Sequence, residues 1–405
     1  MNMPLSRHPY WGQTADHRAL LKQIAEIGPQ LDANAEGDAR GELSPESFAL
    51  LEPLRLGSAL VSEAMGGMQL PPTQVIELLE AVTYHSGSAG WVSMVHAGIG
   101  AMSAAFLPDA AVERLYNKGT DHRFSGLGAP MGMLKKVEGG YRLSGKWGFG
   151  SGFSHATYTH SGCFIDDGTG KPLMEDGAPV VMCAHAPIPE HTQIGNWDVM
   201  GLKGTGSIDY TAEDVFIPED LVYRVIAIEA QRQKELNGIG LIGIASLGHT
   251  SWAMGASRRM LDEIAGFART KSGRAGLLGE SEKFWFDYGR AEASVRAARA
   301  FAMEVWGDIE AMVERGETAG TREVSLIHLA KSEVHEAGES ACNFAYRAAG
   351  SAGLRRGVIQ RVFRDMMVAV NHITIAPHIV ANAGREVGGL WTDRTWQLYD
   401  LVPNK

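Results

Sequence analysis

The spacing of apolar and polar positions divides the chain into three stretches of different character. Between residues 16 and about 118, apolar side chains recur at three- and four-residue intervals, as in 15–33 and 72–86, and predict amphipathic helices. Pro71-Pro72 ahead of Thr73 predicts a helix start, and Leu107-Pro108-Asp109 predicts the end of one helix and the cap of the next. From Phe124 to Val225 the chain turns rich in Gly, Thr, Val and aromatics. Gly139-Gly140 separates 134–137 from 141–143 as a hairpin would, 166–170 (DDGTG) reads as a turn, and 180–184 and 209–216 read as strands. Helical spacing returns after Ile226 in 282–314, 324–349 and 362–383, with the Ala-rich faces of a helical bundle that buries surface against another subunit. The expected class is α+β, with a helical domain over 1–118, a small β domain over 119–225 and a helical bundle over 226–405.

Composition narrows the function. The 405 residues carry 37 Lys+Arg against 47 Asp+Glu, a formal charge of −10, which does not suit a nucleic-acid binder built on clustered basic residues. The three cysteines, Cys163, Cys183 and Cys342, lack CxxC spacing and fit a reducing compartment. Residues 1–10 have no apolar core of a signal peptide. The longest apolar stretch, 238–248, is about half of what a membrane span needs, so a soluble cytoplasmic protein with no membrane partner is expected.

Several motifs are missing. GxxxxGK[ST] and GxSxG are absent, Gly126-x-Gly128 lacks the strand and helix of a dinucleotide fingerprint, and His328/His335 and His372/His378 do not have the spacing of a zinc helix. The residues alone describe an enzyme-like α+β protein with histidines near Gly-rich loops.

The segment 139–156 (GGYRLSGKWGFGSGFSHA) and the segment 196–207 (NWDVMGLKGTGS), which runs into 213–219 (EDVFIPE), resemble the flavin-binding strands of the acyl-CoA dehydrogenase superfamily. Ser86-Gly87-Ser88-Ala89-Gly90-Trp91-Val92, the Trp-x-Phe-x-Ser-Gly run at 147–152 and Gly-Leu-Lys-Gly-Thr-Gly-Ser at 201–207 are most similar to its two-component, reduced-flavin-dependent monooxygenases. The resemblance implies an N-terminal helical domain, a middle β-barrel or sandwich and a C-terminal four-helix bundle. Where dehydrogenases of the superfamily carry a catalytic Glu ahead of an Arg-Asp pair, this chain has Arg356 ahead of Arg364-Asp365. No carboxylate lies between Glu339 and Asp365, and a guanidinium cannot serve as the base.

What the resemblance implies for the site follows residue by residue. Ser151 matches the position that meets flavin N5, where an acceptor in a dry pocket protects a C4a-hydroperoxide formed from reduced flavin and O2. Phe149 matches the aromatic over the isoalloxazine. His372, eight residues after Arg364 and expected mid-helix, matches a base toward a phenolic or similar substrate, and His96 a second pocket histidine. Trp91 and Trp197 are expected to line the flavin site. Gly204, Thr205 and Ser207 belong to a turn with free N–H groups for flavin. Arg269 is in a region whose adenine-binding Gln-Phe-Gly run is missing, so FMN and FAD both remain. The expected activity is hydroxylation of a small aromatic or heteroaromatic molecule by a homotetramer served by a separate NAD(P)H-dependent flavin reductase. An acyl-CoA dehydrogenase or oxidase with a displaced base, and a non-catalytic relative, are the alternatives.

Overall fold

A computed structural model of the protein describes residues 14–38, 41–116, 123–225, 230–273 and 276–404. The N-terminal decapeptide and the domain junctions expected at 118/119 and 225/226 lie outside the described residues.

The first helices are α1 (Ala15–Asp38), α2 (Pro45–Leu51), α3 (Pro72–His85), α4 (Gly87–Phe106) and α5 (Asp109–Leu115). Pro72 opens α3, where its missing N–H costs nothing. The sequence suggests an amphipathic α3, yet all fourteen of its residues are buried. Its acidic face is not solvated because it is neutralised inside the protein. Arg299 reaches Glu80 with three hydrogen bonds of 2.8–3.1 Å, and Glu77 lies 3.4 Å from the His17 ring. A buried carboxylate keeps its charge only when paired in this way.

Ser86 caps α4 by accepting from the Ala89 amide. Among the described residues this 20-residue helix, not 238–248, is the apolar segment long enough to cross a membrane by length and composition; 83% of its most apolar window is buried inside the protein. Pro108 holds the cap position of α5, so Asp109 is the first helical residue rather than its cap.

The strands are β1 (Phe124–Ser125), β2 (Gly132–Val137), β3 (Gly140–Gly150), β4 (Tyr158–Thr159), β5 (Ser161–Ile165), β6 (Met174–Glu175), β7 (Ala178–Pro179), β8 (Val181–Ala184), β9 (Thr192–Gln193), β10 (Ile208–Pro218) and β11 (Val222–Arg224). Seven of them form one sheet in the order β11-β8-β5-β2-β3-β10-β9. The β2–β3 hairpin turns on Gly139, whose φ of +76° suits glycine. β3 and β10 pair antiparallel with Gly150 opposite Ile208. That register sets the residue after β3, Ser151, against the residue before β10, Ser207.

The last part is helical: α6 (Lys234–Asn237), α7 (Gly240–Ala268), α8 (Glu282–Glu314), α9 (Thr321–Ala349), α10 (Val358–Ala369) and α11 (Pro377–Val387). The helix expected over 362–383 is two helices. Ala376 precedes Pro377 with extended backbone (φ −59°, ψ 141°), as proline demands of its neighbour, and the break frees 370–376 to bend into the core. A hairpin of Arg394–Gln397 with Asp400–Pro403 closes the chain.

Candidate active site

The β3–β10 register builds a chain of hydroxyls. Trp91 Nε1 donates to Ser151 Oγ (3.2 Å), Ser151 Oγ meets Ser207 Oγ (2.7 Å), Ser207 Oγ meets Thr205 Oγ1 (2.6 Å), and Thr205 Oγ1 donates to the Leu202 carbonyl (2.8 Å). A hydroxyl has one hydrogen. Thr205 spends its hydrogen on Leu202, so Ser207 donates to Thr205 and Ser151 donates to Ser207. Ser151 Oγ therefore uses its hydrogen and one lone pair internally and offers an outside group only an acceptor.

The anchor of this chain is itself fixed. Leu202 takes a left-handed φ of +53°, its N–H donates to Asp365 Oδ1 at 2.6 Å, and its carbonyl also accepts from Trp197 Nε1 at 3.2 Å. Burial pushes the Asp365 carboxyl up to about 6. The Arg364-Asp365 pair thus braces the 202–207 turn. Within this turn the Thr205 and Gly206 N–H groups bond the Leu202 and Lys203 carbonyls. Gly204 is required by packing, since a Cβ there would stand 2.9 Å from Ser88.

Beside Ser151 the surface is open and aromatic. Phe149 has φ +60°, rare for a bulky residue, and its side chain is 64% exposed next to the half-buried Trp197, ring centroids 6.3 Å apart. A strained backbone that turns an aromatic face outward suits a flat ring system laid against it.

Behind Trp91 lies a cavity of about 290 Å3 between α4, α7, the 126–130 loop and the 370–376 bend. Trp91 links the two regions, standing edge-on to His249 (5.2 Å) and His372 (5.7 Å), both of which line the cavity. His372 is not mid-helix: it caps the short turn Ile373–Ile375. Its Nδ1 lies 2.9 Å from the Thr374 hydroxyl and 3.4 Å from the Thr374 amide nitrogen, which ties the ring to this turn. Burial, with the charge of Lys331 behind it, lowers His372 to about 4 and keeps it neutral.

The other expected residues are dispersed. His96 is buried against the Ser151–Gly152 turn, beneath Gly152 and edge-on to Phe48, and does not line the cavity. Burial, then Arg123, lowers it to about 3. Arg269 is exposed at the C-terminal end of α7, roughly 30 Å along that helix from His249. His378 sits on α11, a different helix from the one that ends before His372.

Sequence reasoning missed two groups. His249 stands on α7 with its ring 4.4 Å from that of His372. Lys331 is fully buried on α9, its Nζ 3.1 Å from His328 Nδ1 and 3.4 Å from Ser246 Oγ, with no carboxylate beside it among the described residues. The seven-residue step from His328 to His335 excludes a zinc helix, and it also marks one helix face, with Lys331 between. What those side chains meet lies on α7, out of reach of local spacing.

Comparison with known proteins agrees with this geometry. Residues 247–377 match the acyl-CoA dehydrogenase, C-terminal domain family. The chain as a whole is similar to flavin-dependent monooxygenases. It is 27% identical over 332 residues to indole-3-acetate monooxygenase of Pseudomonas putida, covering 80% of this chain and 82% of the relative. It is 30% identical over 230 residues to the flavin-dependent monooxygenase oxygenase subunit HsaA of Mycobacterium tuberculosis, covering 56% of this chain and 55% of that protein, about half its length. The fold is shared with XiaF from Streptomyces, solved with FADH2 and glycerol, at a TM-score of 0.84 and 19% identity over 92% of this chain and 94% of that one.

Proposed function

We propose that the chain is the oxygenase component of a two-component, flavin-dependent monooxygenase that hydroxylates a small aromatic or heteroaromatic molecule. The carrying observation is Ser151, held as a pure acceptor beside the open Phe149 face. A reduced flavin presents an N–H at its N5 edge, and an acceptor-only hydroxyl holds that hydrogen where a donor would repel it. Trp91, 7% exposed, shields Ser151 from water on the cavity side. Reduced flavin, FMN or FAD, bound there supplies the electrons that activate O2.

Reduction is assigned to a separate NAD(P)H-dependent reductase, because the chain has no dinucleotide fingerprint. The assembly is read as a cytoplasmic homotetramer, with exposed Arg269 at the C-terminal end of α7 available to a flavin phosphate. The dehydrogenase reading is the weaker one: among the described residues lining the cavity none is Asp or Glu, so an α-proton meets no carboxylate base there.

Oxygen uptake measured with protein, a flavin reductase, NAD(P)H and a panel of aromatics tests the reading, with 18O2 label traced into product. 18O label in product that requires both protein and reductase is expected, above the O2 uptake that the reductase and free flavin give alone. Anaerobic bleaching of bound flavin by an acyl-CoA would move the chain to the dehydrogenases, and failure to bind either flavin would make it a non-catalytic relative.

A further inference from the structure

A second cavity, of about 350 Å3, lies next to the one behind Trp91, at the N-terminal end of α7. Phe106, Val225, Val324 and Trp396 give it an apolar wall, with Asn237 and Gln397 among its polar members. The two cavities run end to end along α7: residues 238–243 line the second, and Leu241, Ile242, Ala245 and His249 the first. Among the described residues, Leu241, Ile242 and Leu398 line both, so these three side chains form the wall that the cavities have in common.

Two of the three are fixed by the first turn of α7, and the third comes from a distant part of the chain. Leu398 stands at the tip of the closing hairpin, whose register pairs Gln397 with Asp400 and leaves a turn of two residues, Leu398 and Tyr399. Gln397 lines the second cavity and Tyr399 the first, so the backbone passes from one to the other at Leu398. The base of the hairpin holds the tip there. Trp396 Nε1 donates to Ser325 Oγ at 2.9 Å, and Thr321 Oγ1 donates to the Arg394 carbonyl at 3.0 Å, both from α9. Leu398 has φ +51°, which the first position of a two-residue hairpin turn demands and which Gly or Asn takes with little strain. A turn built for stability alone would carry one of those; leucine instead puts a branched apolar side chain between two cavities.

We propose that Leu398 is a specificity-determining residue: it closes the cavity behind Trp91 at its α7 end, restricts that cavity to compact one- or two-ring molecules, and keeps longer ones from reaching the second cavity. The proposal rests on the monooxygenase reading only in calling these molecules substrates. Loss of the leucine side chain would join the two cavities and more than double the space open to a ligand.

The test is calorimetric titration of the full chain with 2-naphthol and 6-phenyl-2-naphthol, alone and anaerobically with reduced FMN or FAD. The second probe is the first with a ring added at its far end. In the unsubstituted protein the longer probe is expected to bind about tenfold weaker than 2-naphthol, because an extra ring forced against a filled wall costs what overpacking costs a core. Leu398→Gly, which suits the φ of the turn, should tighten binding of 6-phenyl-2-naphthol about tenfold and leave that of 2-naphthol within about twofold. Leu398→Ala makes the same opening and carries the test if glycine loosens the hairpin. Leu398→Met keeps the volume and should behave as the unsubstituted protein. Equal binding of both probes by the unsubstituted protein, or no gain for the longer probe in the Gly and Ala variants, overturns the proposal. So does a gain in Leu398→Met as large as that in Leu398→Gly, since the hairpin and not the side chain would then set the limit. Flavin binding is read in the same titrations: a chain that binds neither flavin but shows the size switch refutes the monooxygenase reading and leaves Leu398 its role, and a chain that binds flavin without the switch refutes only the role of Leu398.

Discussion

Replacing Lys331 with Met should make the protein more stable, by an amount that depends on pH. Lys331 is fully buried, its Nζ meets only His328 Nδ1 and Ser246 Oγ, and burial pulls its pKa from 10.5 to about 7. In the unfolded chain the amine binds its proton as an ordinary lysine does, so between about pH 7 and 10.5 the unfolded state holds more protons than the folded one. At about 1.4 kcal/mol per tenfold change in proton affinity, the buried ammonium costs the fold about 5 kcal/mol below pH 7, and that cost fades as pH rises toward 10.5. Met fills a similar volume without charge. Urea denaturation of both proteins at steps from pH 6 to 10 gives the difference directly, with changes common to the two cancelling. We expect Lys331→Met to be more stable by about 2–5 kcal/mol at pH 6–7, after some loss of packing, and the advantage to shrink toward zero near pH 10. A difference that stays flat across that range would refute the reasoning, because it would mean that the amine titrates alike in both states. The charge of Lys331 also helps to hold His249, His328, His335 and His372 below their ordinary pKa values. The same variant should therefore raise the pH at which these rings protonate, visible in histidine NMR titrations.

Ser151→Ala removes the acceptor and should raise H2O2 release per NAD(P)H consumed; Ser207→Ala frees the Ser151 hydrogen to turn outward and should raise it less, with unchanged coupling in both counting against the hydroxyl chain. Gly152→Ala places a Cβ 2.8 Å from Val92 and 2.9 Å from His96 Nε2 at φ +70°, so a loss of about 1–3 kcal/mol in urea denaturation is expected. Arg299→Met removes the guanidinium from the buried Glu80 and Glu77 and should cost about 3–5 kcal/mol at neutral pH in urea denaturation.

Local pattern carried much of this structure. The helix over Glu282–Glu314, the hairpin at Gly139-Gly140 and the strands around 181–184 and 208–218 follow from periodicity and turn chemistry, which act within a few residues. Ser151, Phe149, Trp91, Thr205 and Ser207 were legible as one group only through motif resemblance. Their physical connection is the β3–β10 register, which brings residues 56 apart in sequence within 2.7 Å.

Tertiary structure decided the rest. The pattern of α3 describes a helix with a wet face, but whether Glu77 and Glu80 meet water or Arg299 depends on a helix more than 200 residues away. The apolar neighbours of His372 predict a helix, but α10 ends at Ala369 and a new helix opens at Pro377, so His372 stands in the turn between them and caps Ile373–Ile375. His249 and Lys331 carry no sequence signature, since a buried polar group is defined by what surrounds it. The sequence by itself determined which segments are helix or strand and which residue types are available for chemistry. Only the packing of α7 against α9 and α4 decided which of those residues lose water, and loss of water is what keeps His249 and His372 neutral and makes Lys331 a weaker base than an exposed lysine.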